Sequence, residues 1–457
     1  MATVVRRLDA GPRADYRRPL MPARIPHGFH QTGVLMSSSS ESSSSTVAPV
    51  VDRPWYRRVG PGLITACVVI GPGSILSSSK IGAADGYSKS WVVVLAVVFM
   101  MTYMQMGARL GVLTGRAPGD LVAERAGRAL AALIGVGVFF IAAAFQFGNN
   151  LGVHSAFPSR GWDWGGTIVI FNLLSISFLL FFKNLYAAVE KLMMGFVALM
   201  LVSFLLNLSF AGPNLVEAAQ GFIPQASGIQ IELLALVGTT FVISAGYFQA
   251  YLAQQKGWDK AELRSGMIDA RIGSVIMALI TLMLIWTAAA GLRGQTLGDV
   301  KAVAQGLNPL FGGYGTAIFC LGLFSAAYSS FLVNSMIGGF ILSDGFGLGF
   351  KQTDFWPKAF TVLVLLTGMF VALYVINTGV KPVTAIVFAQ ALTVIASPLM
   401  AGALLWLCNR RDLLGDQTNG PIVNLLGGLG FLLLLAMAGY TLVYKVVPGI
   451  QGLFGGA

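Results

Sequence analysis

Val68-Val69-Ile70-Gly71-Pro72-Gly73-Ser74-Ile75 stands in the middle of an apolar stretch long enough to cross a bilayer. Proline has no amide hydrogen and clashes with the preceding turn. The glycines on either side weaken a helix further. Backbone groups freed at that depth find no partner in lipid, so such a break persists only inside protein or against a wet cavity. A second interruption is expected at Phe241-Val242-Ile243-Ser244-Ala245-Gly246-Tyr247. Paired broken spans in two halves of one chain point to a solute-binding site between them.

The surrounding chain fits that reading. Of 457 residues, 55% are hydrophobic and 11% are charged, whereas soluble domains carry about 25% charged residues. Apolar stretches of membrane-crossing length are expected near 60–83, 90–113, 130–153, 165–182, 192–211, 231–255, 266–291, 313–343, 357–376, 380–407 and 421–446. The fold class is therefore an all-α membrane protein of about eleven transmembrane helices. Each break opens a set of five spans, and an odd number per set forces the second set to be inverted. This gives a five-plus-five inverted repeat with one extra helix. Residues 56–457 form the membrane domain. Residues 1–55, rich in arginine and serine, form a tail that cannot bury a core and is expected to be disordered. An organelle transit peptide and a later start at Met21 or Met36 are alternatives for the tail.

The formal charge of +11 reports topology and contact with anionic lipid rather than nucleic acid. Placing the N-terminus in the cytoplasm puts Arg116, Arg125, Arg128, Lys183, Lys191, Lys256, Lys260, Arg264, Lys351, Lys358, Arg410 and Arg411 in inner loops. The outer loops then hold mainly Lys89, Arg160, Arg293, Lys301 and Lys381. The positive-inside rule selects that orientation, with the C-terminus outside. Trp91, Trp162, Trp164, Trp258 and Trp356 fall at span ends, where interfacial anchors are expected. Cys67, Cys320 and Cys408 lack metal-ligand spacing and read as small buried apolar residues.

No acid is expected near the middle of a span. Asp85, Glu190, Glu232, Asp269 and Asp344 come closest, and they fall at span ends. His27, His30 and His154 lie in the tail or at a span end. Intramembrane proton relays use carboxylates or histidines, so proton coupling is disfavoured. Neutral oxygens remain at mid-depth: Ser74 and Ser77 to Ser79 at the first break, Thr239, Thr240, Ser244, Tyr247 and Gln249 at the second. Hydroxyls and carbonyls suit hard divalent cations, and they also suit neutral polar solutes. Gln146, Asn149 and Asn150 on the third span read either as helix-helix glue or as path lining. Ser325, Tyr328 and Ser329 on the eighth share a face. Gln390 and Pro398 mark the tenth. No nucleophile-base pair is placed within the membrane, which argues against an enzyme, and no cofactor is called for.

Several of these segments resemble the NRAMP family of divalent metal transporters, over most of residues 58–440. They are Gly60-Pro61-Gly62-Leu63 with Ile70-Gly71-Pro72-Gly73-Ser74, then Met106 to Gly115, then Gly322 to Ser330, and Gln390 to Pro398. The resemblance implies a LeuT-type fold, the N-terminus inside, and rocking of the first, second, sixth and seventh helices. It also implies a substrate site at Gly71, Ser74, Val242, Ile243 and Ser244, with Gln146, Asn149, Gln249, Tyr328 and Gln390 along the path. The departures fall on functional positions. Gly71 replaces the family's metal-binding Asp, and Ser74 its Asn. Val242-Ile243-Ser244 replaces Met-Pro-His, and Gln146 and Asn149 replace acids. Gln249 replaces a histidine, and Ala396 a Gln. The pattern is similar to that of the NRAMP-related magnesium transporters. The expected function is alternating-access transport of a divalent metal, Mg²⁺ or Mn²⁺, without proton coupling, in a bacterial plasma membrane. A carrier of a small neutral organic solute and a non-transporting sensor are the alternatives.

Overall fold

The computed structural model describes residues 60–157, 165–182, 184–224, 231–298, 300–307, 313–379 and 397–446. The N-terminal tail, Trp162, Trp164 and Gln390 lie outside them. The first span is two helices, α1 (Pro61–Val69) and α2 (Pro72–Asp85), bent by 59° where they meet. Then come α3 (Ser90–Thr114), a short connecting helix α4 (Pro118–Ala126), α5 (Arg128–Ala156), α6 (Gly166–Phe181) and α7 (Leu185–Ala211). The second half repeats the plan with α8 (Ile231–Thr240), α9 (Ile243–Gln255), α10 (Leu263–Gly291), α11 (Gly313–Gly345), α12 (Phe355–Thr378) and α13 (Ser397–Cys408). Helix α14 (Pro421–Thr441) is the extra one. Among the described residues, eight helices are long and apolar enough to cross a membrane, or nine with the bent pair. Helices α6 and α13 are shorter, and the expected span 380–407 is described only from 397, so the expected count of eleven is not fixed here.

The breaks form for the reasons the sequence gives. Ile70 leaves the helical region at φ −92°, ψ 87°, and Gly71 is extended at φ −118°, ψ 179°, after which Pro72 restarts the helix at its first position. Proline is favoured there because its missing N–H would be unpaired in any case. The second break, at Phe241 and Val242, differs. Val242 sits at φ −84°, ψ 87°, yet Leu236–Gln255 continues as one 20-residue span with no bend above 40°.

Small residues let the helices approach closely, as they must where lipid supplies no hydrophobic drive. A side chain at Gly62 or Gly273 would strike the facing backbone of α10 or α1. Side chains at Gly107 and Gly111 of α3 would strike α9, and one at Gly152 of α5 would strike Pro72. Lipid-facing positions carry apolar side chains such as Phe140, Phe181 and Phe370.

Polar contacts gather at the two ends of the bundle. At the end bearing Gly60, Arg125 pairs with Asp412 at 3.0 Å, Arg128 with Asp120 at 3.2 Å, and Lys256 with Glu190. Gln254 Nε2 donates to the Arg116 carbonyl at 2.6 Å. The Arg125 hydrogen bond holds the exposed Asp412 carboxyl below its ordinary range. At the other end Arg293 pairs with Glu217, and the Asn214 amide donates to the Tyr87 hydroxyl. Trp258 departs from expectation: it is buried against Val112 and Ala253, with Gly266 at its ring, and is no interfacial anchor. Trp356, 44% exposed, fits that role. Cys67 and Cys408 are buried and Cys320 is half-buried.

Candidate substrate site at the first break

Residues of the first break and of α5 enclose a small cavity: Val69, Gly71, Gly73 and Ser74 on one side, Ala144, Phe145, Gly148 and Asn149 on the other. Gly71 has no side chain to fill it. A Cβ placed there would stand 3.2 Å from both Asn149 Oδ1 and Ser330 Oγ. Ser330 closes the site from α11, and its hydroxyl donates to the Val68 carbonyl at 3.2 Å. That bond satisfies one acceptor freed by the break, as a buried backbone group requires.

Polar atoms at this place are left over. Ser74 Oγ and Asn149 Nδ2 line the cavity and have no hydrogen-bond partner among the described residues, and neither do Ser78 Oγ and both amide atoms of Gln146 elsewhere on the same two helices. Each such group costs about 1–3 kcal/mol if nothing meets it, so their concentration beside the break marks a place built to hold water or a polar substrate. The third-span amides thereby separate into two kinds. Asn150 is glue: it donates to the Gln146 carbonyl at 2.8 Å and accepts from Asn172 of α6 at 2.6 Å. Asn149 faces Gly71. Gln146 lies against Gly368 of α12.

The other expected site residues lie apart from this cavity. Val242, Ile243 and Ser244 are buried but do not line it. The Val242 carbonyl already accepts from Ala245 and Gly246 at 3.0 and 3.3 Å. Phe241 turns toward α3 and α14, with ring centroids 5.9 Å from Phe99 and 5.5 Å from Tyr103. Gln249 belongs to a separate buried network: it accepts from Thr65 Oγ1 at 2.6 Å and donates to Asp269 Oδ2 at 3.4 Å. Tyr328 accepts from Ser175 at 3.3 Å within a cluster of Phe171, Phe196, Phe324 and Phe331. Ser325 and Ser329 bond the backbone of their own helix. Ser330 is the eighth-span residue that reaches the break, and nothing in its sequence neighbourhood distinguishes it from Ser329. A second small cavity, lined by Ser79, Asn207 and Thr287 among others, lies under Val303 of the short helix Val300–Gly306.

Two broken spans, each opening a set of helices, define a LeuT-type multi-pass membrane protein. The fold matches a solved manganese transporter of Eremococcus coleocola, in complex with an aromatic bis-isothiourea compound, at TM-score 0.75 and 17% identity, covering 91% of this chain and 92% of that one. It also matches MhsT in complex with L-phenylalanine, at TM-score 0.54 and 13% identity, covering 82% and 98%. The chain belongs to the Nramp family: the model described as natural resistance-associated macrophage protein-like matches residues 62–444. Two relatives carry the name divalent metal cation transporter MntH. The one from Deinococcus radiodurans is 26% identical over 94% of this chain and 98% of its own length. The one from Yersinia enterocolitica is 26% identical over 86% and 98%.

Proposed function

We propose that this chain carries a divalent metal cation across the membrane by alternating access, with part of the ion's water shell retained and without proton coupling. One observation carries the reading: the cavity at the first break is lined by Gly71, Ser74 and Asn149, with neutral, unpartnered donors and acceptors and no carboxylate, imidazole or thioether. Soft ligands select transition metals and hard neutral oxygens do not. Mg²⁺ gives up water reluctantly and is commonly held through it. In that role Ser74 and Asn149 hydrogen-bond the ion's waters. The space is small in this conformation, so admitting such an ion requires α1 to tilt away from α5 and α11. With no acid or histidine at the cavity, the membrane potential supplies the drive, about 4.6 kcal/mol per 100 mV for a dication.

The relatives' names support the metal, and their bacterial hosts support a bacterial plasma membrane. The loop charges support an inward N-terminus. The end bearing Gly60 also carries Arg116, Arg125, Arg128 and Lys256. We assign no enzymatic activity. A neutral organic solute would need aromatic cover from Phe241, Tyr247, Phe248 and Tyr251. Phe241 packs on Phe99, Phe248 on Phe340, and the Tyr251 hydroxyl is engaged by Asp344, so that alternative is the weaker one. The test is purified protein in liposomes loaded with a Mg²⁺- or Mn²⁺-sensitive dye, with and without a pH gradient. Uptake of both ions that follows the potential and ignores the pH gradient is expected. Uptake that requires the gradient overturns the coupling assignment. Uptake of neither ion, with the protein folded, overturns the metal.

A further inference from the structure

Asp269 of α10 is fully buried, and its carboxylate reaches for backbone. It accepts from the Gly60 amide at 2.8 Å, the Gly62 amide at 2.5 Å and Gln249 Nε2 at 3.4 Å. Gly60 and Gly62 carry the first, unpaired N–H groups of α1, where the helix dipole favours an anion. On the outer flank of Gly60 lie the side chains of Glu190 and Lys256, themselves ion-paired. Gln249 is on α9 and Lys256 caps its C-terminus, and Tyr251 of the same helix donates to Asp344, whose carboxylate also accepts from the Gly119 amide of α4 at 2.7 Å. One stretch of α9 therefore ties α1, α4, α10 and α11 together at a single end of the bundle.

Helix α1 is nine residues long, and its far end is the 59° bend at Ile70 and Gly71. It is a short lever with a hinge at the substrate cavity and a tether at its tip. A buried ion pair or carboxylate is weak evidence for stability, since apolar residues of similar volume do as well. Hydrogen bonds to a charged acceptor are, however, directional and reversible. We propose that Asp269 is a positioning residue, a latch that holds α1 closed, and that its release from Gly60 and Gly62 opens this end of the protein to water. The latch rests on the alternating-access reading, but its test uses no transported ion and so fails or holds separately from the metal assignment.

The three native thiols supply the readout. Cys67 lies on α1 with Sγ 3.8 Å from the Met193 carbonyl of α7, so a departure of α1 uncovers it. Cys408 is buried in α13 against the Met106 carbonyl of α3, and Cys320 lies on α11. Alkylation of each thiol by a water-soluble maleimide is followed by mass spectrometry in the otherwise unaltered chain. Asp269→Asn keeps the volume but loses one acceptor, and Gln249→Glu sets a second carboxylate against Asp269. Each is expected to speed Cys67 labelling by about tenfold, the loss of one hydrogen bond to a charge. Cys408 and Cys320 should stay at their wild-type rates. A Cys67 rate unchanged in both folded variants overturns the latch. So does a rise shared by all three thiols, which reports general loosening.

Discussion

The two breaks occupy equivalent places in the two halves and are made differently. The first bends by 59°, exposes Gly71 to Asn149 and Ser330, and keeps unpartnered polar atoms around a cavity. The second continues without such a bend, spends the Val242 carbonyl on its own helix, and turns Phe241 into packing with Phe99 and Tyr103. Topological equivalence therefore does not bring chemical equivalence. In this conformation unpartnered polar atoms line a cavity at the first break. At the second, the Thr240 and Tyr247 hydroxyls, also unpartnered among the described residues, line neither that cavity nor the one under Val303, and Phe241 is packed.

Substitutions at matched positions sharpen that contrast. Phe241→Ala should cost the most stability, about 3 kcal/mol from the cavity it leaves, read as a lowered Tm, with metal affinity by calorimetry unchanged; a lost affinity would bring the second break back into the site. Gly71→Asp with Ser74→Asn should destabilise the metal-free protein by burying an unpaired carboxylate. Mn²⁺ at a hundredfold its Kd should then return about 2.7 kcal/mol. Ile243→Asp at the second break should be destabilised without rescue, and rescue there would erase the distinction. Ser330→Ala leaves the Val68 carbonyl unpaired and should cost about 1 kcal/mol or more, whereas Thr240→Val removes a hydroxyl that has no partner and should be neutral in the same melts.

The smallest effect belongs to a contact remote from both breaks. Arg125 lowers the folded pKa of Asp412, so the pair's contribution is present above the ordinary carboxylate value of 3.8 and fades as pH falls through the lower folded value. Asp412→Asn should remove that acid-side slope from Tm against pH and leave both breaks as they were.

Much of the fold was legible because membrane crossing imposes strong, local rules. Gly71-Pro72-Gly73 announced the first break, and period and length announced the spans. The site was half legible. Gly71 and Ser74, expected at the site, share a cavity with Asn149, expected on the path. Val242 to Ser244 was drawn in by the resemblance and by the matching break, and neither constrains which way Phe241 points. Gln249 read as a path residue because the resemblance sets it at a family histidine, while its partners Thr65 and Asp269 are 184 and 20 residues away. Asp269 was visible as a span-end acid. Its target was not, because an amide hydrogen has no residue type.

That last point bears on how this contact persists through evolution. Asp269 grips peptide groups that every sequence possesses, so no compensating exchange at positions 60 or 62 is needed to preserve it. A survey of relatives for residues that change together would pass over it. The constraint this contact imposes is one-sided: an acid on α10, and at 62 the smallest residue, since any side chain there would push α1 off the backbone it rests upon.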